Sequence, residues 1–304
     1  MGLEWILLRQ NMIMVIYMAI GYFLYKKKLI TRNGSGELGK LLLYIVMPAV
    51  IIKAYMVRFS IQTLWCLGIS MGAAAVCLLL SMLVSWLVFK ECPIEHFGSA
   101  FSNAGFMGIP LIQTALGDEA VFYVSSFVAF LNILQWTYGV YVMTQDRENI
   151  SIKKIVTNPV VIGFVIGVAV FFLPVQQPFI LTTVVGAISG MNAPLAMIIL
   201  GIYLAQLPFK EILKGKQVYL CAVLRLVGIP LLSMAVLSLL PAKYNMIKLA
   251  VLIAAAAPVG SNVAIFAQIN KKDYTQAVKN ICLSTVLCVF TIPVIVGIAN
   301  VLWR

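Results

Sequence analysis

The longest uncharged stretch of this chain covers residues 155–209, which include no aspartate, glutamate, lysine or arginine. A helix crosses the hydrocarbon core of a bilayer with about 20 residues. The stretch is too long for one crossing, and Pro174 and Pro178 mark the point where it divides into two. Only 11% of the 304 residues are charged, whereas soluble domains have about 25%. The sequence therefore predicts an all-α polytopic membrane protein.

Apolar segments of membrane-spanning length recur along the whole chain. The odd-numbered loops between them hold fifteen lysines and arginines, and the opposite side holds six. Because basic loops stay in the cytoplasm, we expect both termini to lie outside a plasma or inner membrane. The net charge of +12 then reflects membrane topology and does not indicate nucleic acid as a partner. We predict ten transmembrane helices, at residues 10–25, 41–57, 62–89, 97–116, 120–144, 156–174, 179–207, 217–240, 247–269 and 280–302.

Two of the predicted spans are poor helices in their centres. Span four contains FSNAGFMGIP at 101–110, and span nine contains AAAAPVGSNVAIFAQ at 254–268. Proline removes a backbone donor, and glycine costs about 1 kcal/mol relative to alanine in a helix interior. Interrupted helices in a membrane are tolerated only where they are buried in protein or line a wet cavity. Such segments at corresponding places in two halves of a chain indicate a transporter's binding site.

Ten spans divide into two halves of five, residues 1–145 and 146–304. Five is an odd number, so the two halves must cross the membrane in opposite orientations. Met47-Pro48 in span two has a counterpart in Ala193-Pro194 in span seven, and the broken spans four and nine also correspond. We therefore predict two inverted five-helix repeats, an architecture that many secondary transporters share.

The two broken spans carry the residues of a known family. SNAGFMGIPL at 102–111 and AAAAPVGSNVAIFAQINKKDY at 254–274, followed by a span that ends in FTIP at 290–293, resemble the signature segments of the auxin efflux carrier family. That family includes plant PIN-type auxin carriers and bacterial permeases for malate or malonate. The short middle loop makes this chain similar to a compact bacterial member. By this resemblance, Asn103, Gly108 and Pro110 match the span-four motif, and Pro258 matches the span-nine motif.

The resemblance also implies an arrangement of the spans and a class of substrate. Spans one, two, six and seven would form a scaffold, and the other six spans would form a mobile transport domain. Within that domain, spans four and nine would cross near the membrane midplane. The substrates of the family are organic anions, so we expect the crossing to bind one.

We predict the substrate site where the second halves of spans four and nine begin, near Ile109-Pro110 and Ser261-Asn262. Each helix N-terminus carries about half a positive charge and free N–H groups, so two of them can bind a carboxylate without a fixed cation. The alternative is that the same residues form kinks that let helices pack closely. The expected substrate-binding residues are Ser102, Asn103, Gly105, Gly108, Pro110, Pro258, Gly260, Ser261 and Asn262, with Asn192 and Arg225 as further candidates.

Several other polar residues lie inside the predicted spans or near their ends. Arg225 lies inside span eight and is either a functional cation or a side chain that extends to the headgroups. Lys53 and Arg58, near the outer end of span two, are expected to extend to the headgroups. Asn132 and Gln135 share a face of span five and are expected to bond neighbouring helices. All ten acidic residues fall in predicted loops or span ends, which weakens the case for proton coupling through a buried carboxylate.

The sequence contains no pattern for catalysis or metal binding. Its six cysteines form no CxxC pair, and its single histidine has no carboxylate cluster beside it. We therefore expect no enzyme activity, no metal and no cofactor. The predicted function is a secondary transporter, a permease or efflux carrier, for small organic anions such as malate, malonate or auxin-like carboxylates, working by elevator-like alternating access. Its expected partners are the substrate and membrane lipid, and a homodimer is compatible with a fixed scaffold.

Two alternatives remain open. A sodium- or proton-coupled symporter could use the same crossed helices, since interrupted helices also expose carbonyl groups that bind cations. A membrane receptor that binds without transporting would carry the same composition. Flux in vesicles under defined gradients separates the three.

Overall fold

The computed structural model describes residues 2–173 and 178–303, and in these ranges the chain is helical. Pro174 and Arg304 lie outside the described residues, whereas Pro178 directly precedes a helix. The helices are α1 (Leu3–Lys26), α2 (Arg32–Tyr55), α3 (Ile61–Val88), α4 (Pro93–Ala100), α5 (Ala104–Leu116), α6 (Asp118–Thr144), α7 (Ile152–Val156), α8 (Pro159–Phe172), α9 (Phe179–Gln206), α10 (Phe209–Ile212), α11 (Lys216–Leu237), α12 (Asn245–Ala256), α13 (Asn262–Ile269) and α14 (Tyr274–Leu302).

Seven of the helices in the described ranges are long and apolar enough to cross a membrane, namely α1, α2, α3, α6, α9, α11 and α14. Helices α5 and α8 are apolar but shorter. Predicted span four corresponds to α4 and α5 together, and predicted span nine corresponds to α12 and α13. The prediction of an all-helical, multi-pass membrane protein is confirmed.

Large apolar side chains cover the outer surface of the molecule. Ile16, Phe23, Trp65 and Phe290 are each more than half exposed. A soluble monomer rarely exposes apolar patches of this extent, because water penalises them. In a bilayer the same side chains contact lipid, so this surface agrees with the membrane assignment.

Within residues 2–173 and 178–303, four helices contain a π turn: Leu42–Val46 in α2, Ala104–Gly108 in α5, Gln135–Gly139 in α6 and Leu224–Gly228 in α11. Three of these turns end two residues before a proline, at Pro48, Pro110 and Pro230. A proline ring clashes with the carbonyl four residues earlier and donates no hydrogen bond. Widening the preceding turn relieves that clash without breaking the helix.

Close helix pairs are built on small residues. Gly21 of α1 faces the backbone of Ile198 in α9, and Gly201 of α9 faces the backbone of Met18 in α1, so a Cβ at either glycine would clash. In the same way, α8 approaches α2, where Gly163 lies against Pro48. Small residues let membrane helices pack at short distance, and the resulting van der Waals contact is one of the forces that hold helices together in lipid.

Candidate functional site

The breaks in spans four and nine cross each other and are joined by hydrogen bonds. Residues 101–103 separate α4 from α5, and residues 257–261 separate α12 from α13. The Asn103 N–H donates to the Pro258 carbonyl (2.7 Å), and the Gly260 N–H donates to the Phe101 carbonyl (3.0 Å). These two bonds form an isolated antiparallel β-bridge between Ser102 and Val259. Backbone groups that leave the helical pattern thus find partners inside the protein, as a membrane interior requires.

Gly260 allows this close approach. A Cβ at that position would lie 3.1 Å from the Phe101 carbonyl oxygen and 3.1 Å from the Ser102 carbonyl oxygen. Both neighbours are backbone atoms, so neither can turn away as the end of a long side chain would. The crossing in this form therefore depends on glycine at residue 260.

A small cavity lies at the crossing, with a volume of about 30 Å³. This volume suits a water-sized group, and any larger ligand requires the walls to move apart. Asn132 and Gln135 of α6, Met47 of α2 and Val160 of α8 form part of the lining. Six of the nine predicted binding residues also line it, namely Ser102, Asn103, Gly105, Gly260, Ser261 and Asn262. We call this space the crossing cavity.

Three residues that line the crossing cavity carry hydrogen-bond donors without partners among the described residues. Ser102 Oγ, Asn103 Nδ2 and Gln135 Nε2 are buried and have no acceptor among the described residues. The residues that carry them are 3%, 4% and 1% exposed, respectively. Buried polar groups are normally paired, and an exception needs an explanation. A cavity with unused donors is suited to a group that only accepts hydrogen bonds, such as a carboxylate.

Two helices begin at the crossing cavity. Helix α13 starts at Asn262, with Ser261 in the N-cap position, but the Ser261 side chain makes no capping bond. Asn262 Nδ2 instead donates to Gln135 Oε1 of α6 (2.8 Å). Helix α5 starts at Ala104. The first-turn N–H groups of a helix have no internal acceptor and carry a partial positive charge, so both ends add to the attraction for an anion.

The break in span four differs from the predicted one. Regular α-helix does begin at Ile109, but a π turn from Ala104 precedes it without interruption. Pro110 is accommodated by that turn, so the chain leaves the helix earlier, at 101–103. Gly108 consequently packs against α12, where a Cβ would lie 3.6 Å from the Ala254 Cα. Neither Gly108 nor Pro110 lines the crossing cavity, and Pro258 contributes to the crossing through its carbonyl.

A second, larger cavity of about 540 Å³ lies between α2, α5, α6 and α9. Its lining includes the basic residues Lys53 and Arg58. Both residues line this cavity, and Lys53 also pairs with Asp118 (Nζ to Oδ2, 3.5 Å). By the predicted topology this cavity opens on the outer side, and we call it the outer cavity. Polar residues Gln113, Asp118, Glu119, Thr182 and Asn192 also line it.

Asn192 connects the two cavities. It lines the outer cavity, and its Nδ2 donates to the carbonyl of Gly105 (3.2 Å), which lines the crossing cavity. Its Oδ1 is buried without a partner among the described residues. Asn192 therefore lies in the wall that separates the outer cavity from the crossing.

Arg225 does not extend to the headgroups. The residue is 1% exposed, and its Nη1 donates to the carbonyl of Ser99 (2.8 Å). Its Nη2 donates to the carbonyl of Ala255. These acceptors belong to the last turns of α4 and α12, so the guanidinium lies behind the crossing and does not line its cavity.

The sequence predicts all ten acidic residues in loops or span ends, but one of them is buried in the protein. Glu95 is 3% exposed, and its Oε1 accepts hydrogen bonds from Gln276 Nε2 (2.6 Å) and Asn280 Nδ2 (3.3 Å) of α14. Predicted span four begins at residue 97, so Glu95 falls just before it. The packing of α14 over the first turn of α4 buries it.

Gln135 is the residue at the crossing that sequence reasoning undervalued. It bonds a neighbouring helix through Asn262, as expected, but it also lines the crossing cavity with a free donor. Its signal in the sequence is a glutamine in the middle of an uncharged span, since polar residues in membrane segments usually face a binding site or partner helix.

Comparison with known proteins relates this chain to membrane transport proteins. Over 211 residues, 66% of this chain, the sequence is 26% identical to a protein of Rhizobium meliloti (strain 1021) named "Putative malonate transporter". The chain spans 65% of the length of that relative. A family model described as membrane transport protein matches residues 8–296, and this is the auxin efflux carrier family that the two signature segments resemble. The chain therefore belongs to the membrane transport protein family.

Proposed function

We propose that this protein is a secondary transporter of small organic anions and that the crossing of spans four and nine binds the substrate carboxylate. The observation that carries the proposal is the set of unpaired donors at the crossing cavity, Ser102 Oγ, Asn103 Nδ2 and Gln135 Nε2. Helices α5 and α13 both begin at the crossing cavity. Donors and partial positive charge together favour a group that is negative and accepts hydrogen bonds.

Malonate is the first substrate to test. The relative from Rhizobium meliloti carries the name of a malonate transporter, and Lys53 and Arg58 line the outer cavity. Basic residues at the mouth of a narrow site raise the local concentration of an anionic substrate. Malate and indole-acetate are the comparison substrates, because each presents a carboxylate on a different body.

The proposed mechanism is alternating access. The crossing cavity has room only for a water-sized group, so a substrate must reach it by movement of one part of the protein against the other. We propose that α1, α2, α8 and α9 form the scaffold and that the helices of spans three to five and eight to ten move against it. Asn192 of α9 and Gly105 of α5 meet at this boundary, and a sliding transport domain would break their bond.

The proposed architecture is ten crossings in two inverted repeats, residues 1–145 and 146–304, with both termini outside the plasma or inner membrane. The helix pairs α1–α9 and α2–α8 support it. Under an inverted repeat, span one exchanges with span six and span two with span seven. The first pair (spans one and seven) then maps onto the second (spans six and two), as a repeat of this kind requires. Association of two scaffolds into a homodimer would keep them stationary while the transport domains move.

The test is flux of radiolabelled malonate, malate and indole-acetate into proteoliposomes under an imposed membrane potential, with neither a sodium nor a pH gradient. An inside-positive potential drives an anion into the vesicle with about 2.3 kcal/mol per charge per 100 mV. We expect flux that follows the potential and a strong loss in Asn103→Ala. Asn149→Ala, in the exposed loop after α6, is the matched control. Undiminished flux in Asn103→Ala would count against the crossing as the substrate site.

A proton-coupled symporter is the second candidate, and Glu95 is the observation that favours it. A carboxylate buried in a membrane segment and held by neutral amides is a candidate for proton binding. Flux that appears only with a pH gradient would support this mode. A requirement for sodium would instead indicate a cation site at the carbonyl groups of the breaks.

A further inference from the structure

Arg225 forms hydrogen bonds to both halves of the crossing without lining the crossing cavity. Its Nη1 donates to the Ser99 carbonyl (2.8 Å), and its Nη2 donates to the Ala255 carbonyl. Ser99 lies in the last turn of α4, and Ala255 lies in the last turn of α12. One side chain therefore holds the ends of both helices that lead into the crossing.

The contact between α11 and α4 repeats one turn earlier. Cys221 Sγ lies 3.7 Å from the Glu95 carbonyl oxygen, and Arg225 contacts Ser99. Both intervals are four residues, so one face of α11 follows one face of α4 toward the crossing. Arg225 is the α11 contact residue nearer to the crossing. Its guanidinium carries five N–H donors in one plane, which suits two separate carbonyl acceptors.

The position of Arg225 matters for the electrostatics of the crossing. Each helix that ends there carries about half a negative charge at its C-terminus, and each helix that begins there carries about half a positive charge at its N-terminus. Without compensation, the C-termini of α4 and α12 would offset the N-termini of α5 and α13. A single guanidinium charge is of the right size to balance both C-termini.

Arg225 is not placed to touch the substrate. It does not line the crossing cavity, whereas Ser102 lies only three residues after its partner Ser99. Three residues span at most about 11 Å even when extended. The charge is therefore close enough to affect the cavity electrostatically but is separated from it by the backbone of the crossing.

We propose that Arg225 is the positioning residue that makes the crossing selective for anions. It neutralises the C-termini of α4 and α12 and fixes them in place, so that the N-termini of α5 and α13 act on the substrate without opposition. This inference rests on the proposed transport of organic anions through the crossing. It assigns the preference for negative charge to a residue that the substrate does not contact.

The experiment compares two substrates of similar shape and different charge. Malonate carries two negative charges at neutral pH, and its monoamide, malonamate, carries one. KM and maximal rate are measured for both in proteoliposomes containing the wild type, Arg225→Met, Arg225→Lys or the exposed-loop control Arg147→Met. We expect Arg225→Met to raise KM for malonate at least tenfold, about 1.4 kcal/mol, and KM for malonamate by less. Arg225→Lys keeps the charge and should preserve the ratio of the two KM values within about twofold.

A purely structural role gives a different result. Loss of folded protein lowers the maximal rate for both substrates and leaves each KM unchanged, and that pattern in Arg225→Met would overturn the proposal. If Arg225→Met does not fold, Arg225→Lys decides, because a changed KM ratio in this folded, charged variant would also overturn it.

Failure of the proposed function is distinguishable. If the wild type transports neither malonate nor malonamate, the substrate assignment fails. Hydrogen exchange then tests whether Arg225 holds the ends of α4 and α12 in place. We expect faster amide exchange at residues 99–103 and 255–260 in Arg225→Met than in Arg225→Lys. Equal exchange in wild type and Arg225→Met would overturn the role of Arg225 at the crossing.

Discussion

The backbone N–H of Asn103 donates to the carbonyl oxygen of Pro258 at 2.7 Å. This bond joins the breaks of two helices that are far apart in the chain. It satisfies a group that the break in span four would otherwise leave unpaired inside a membrane. The same bond brings Asn103 and Asn262 to the walls of one cavity. Structure and proposed binding at the crossing therefore depend on the same few residues.

Gly260→Ala should disrupt the crossing. The added methyl group would lie 3.1 Å from two backbone oxygens, and overpacking of this kind costs about 1–3 kcal/mol. We expect a lower thermal unfolding midpoint in detergent and loss of malonate flux. Gly186→Ala is the control, because a Cβ at Gly186 has nothing within 4 Å. If the two variants unfold at the same temperature and transport equally, the close approach at Gly260 is not required.

Gln135→Leu should reduce transport while leaving the fold intact. The substitution removes both a free donor at the crossing cavity and the acceptor of Asn262 Nδ2. Loss of one hydrogen bond to a charged group corresponds to about 1.5–3 kcal/mol, so we expect KM for malonate to rise by about tenfold or more. Gln62→Leu, at the exposed start of α3, is the control. Unchanged KM in Gln135→Leu would place the substrate elsewhere.

The basic residues of the outer cavity should assist substrate capture. We expect Lys53→Met and Arg58→Met each to raise KM for external malonate by about threefold or more at low ionic strength. The difference from wild type should shrink as salt is added, because salt screens exposed charges. Asp118→Asn should act in the opposite direction, since it releases Lys53 from its 3.5 Å ion pair. Lys243→Met, in the exposed 242–244 turn, is the control for total charge. An equal rise in KM in this variant would show that the position of Lys53 and Arg58 at the outer cavity does not matter.

Glu95→Gln separates the uncoupled carrier from the proton-coupled symporter. Glutamine keeps an oxygen that can accept from Gln276 and Asn280 but does not exchange a proton. For the uncoupled carrier we expect potential-driven malonate flux within about twofold of wild type. Glu95→Leu should instead lower stability, because it leaves the buried Asn280 amide and the partly buried Gln276 amide without this acceptor. Selective loss of pH-driven uptake in Glu95→Gln, with a normal unfolding midpoint, would show that Glu95 carries the proton.

The apolar helices and the places where two predicted spans break were predictable from the sequence. Both follow from local chemistry: apolar runs must be helical in lipid, and proline, glycine, serine and asparagine in the centre of such a run interrupt it. The prediction was less accurate at Pro110, where a π turn accommodates the proline and moves the break to 101–103. A π turn and a broken helix both relieve the clash between a proline ring and the carbonyl four residues earlier. Residue types alone do not predict which of the two forms.

Only the tertiary structure decided which buried polar groups meet. Asn262 and Gln135 are 127 residues apart in the chain, and Arg225 and Ser99 are 126 apart, so no spacing rule connects them. The same holds for Glu95, which is buried because α14 packs over it. Composition and local pattern set the helices because each helix satisfies its own backbone. The charge balance at the crossing depends on where helix ends meet, and packing between distant segments determines that.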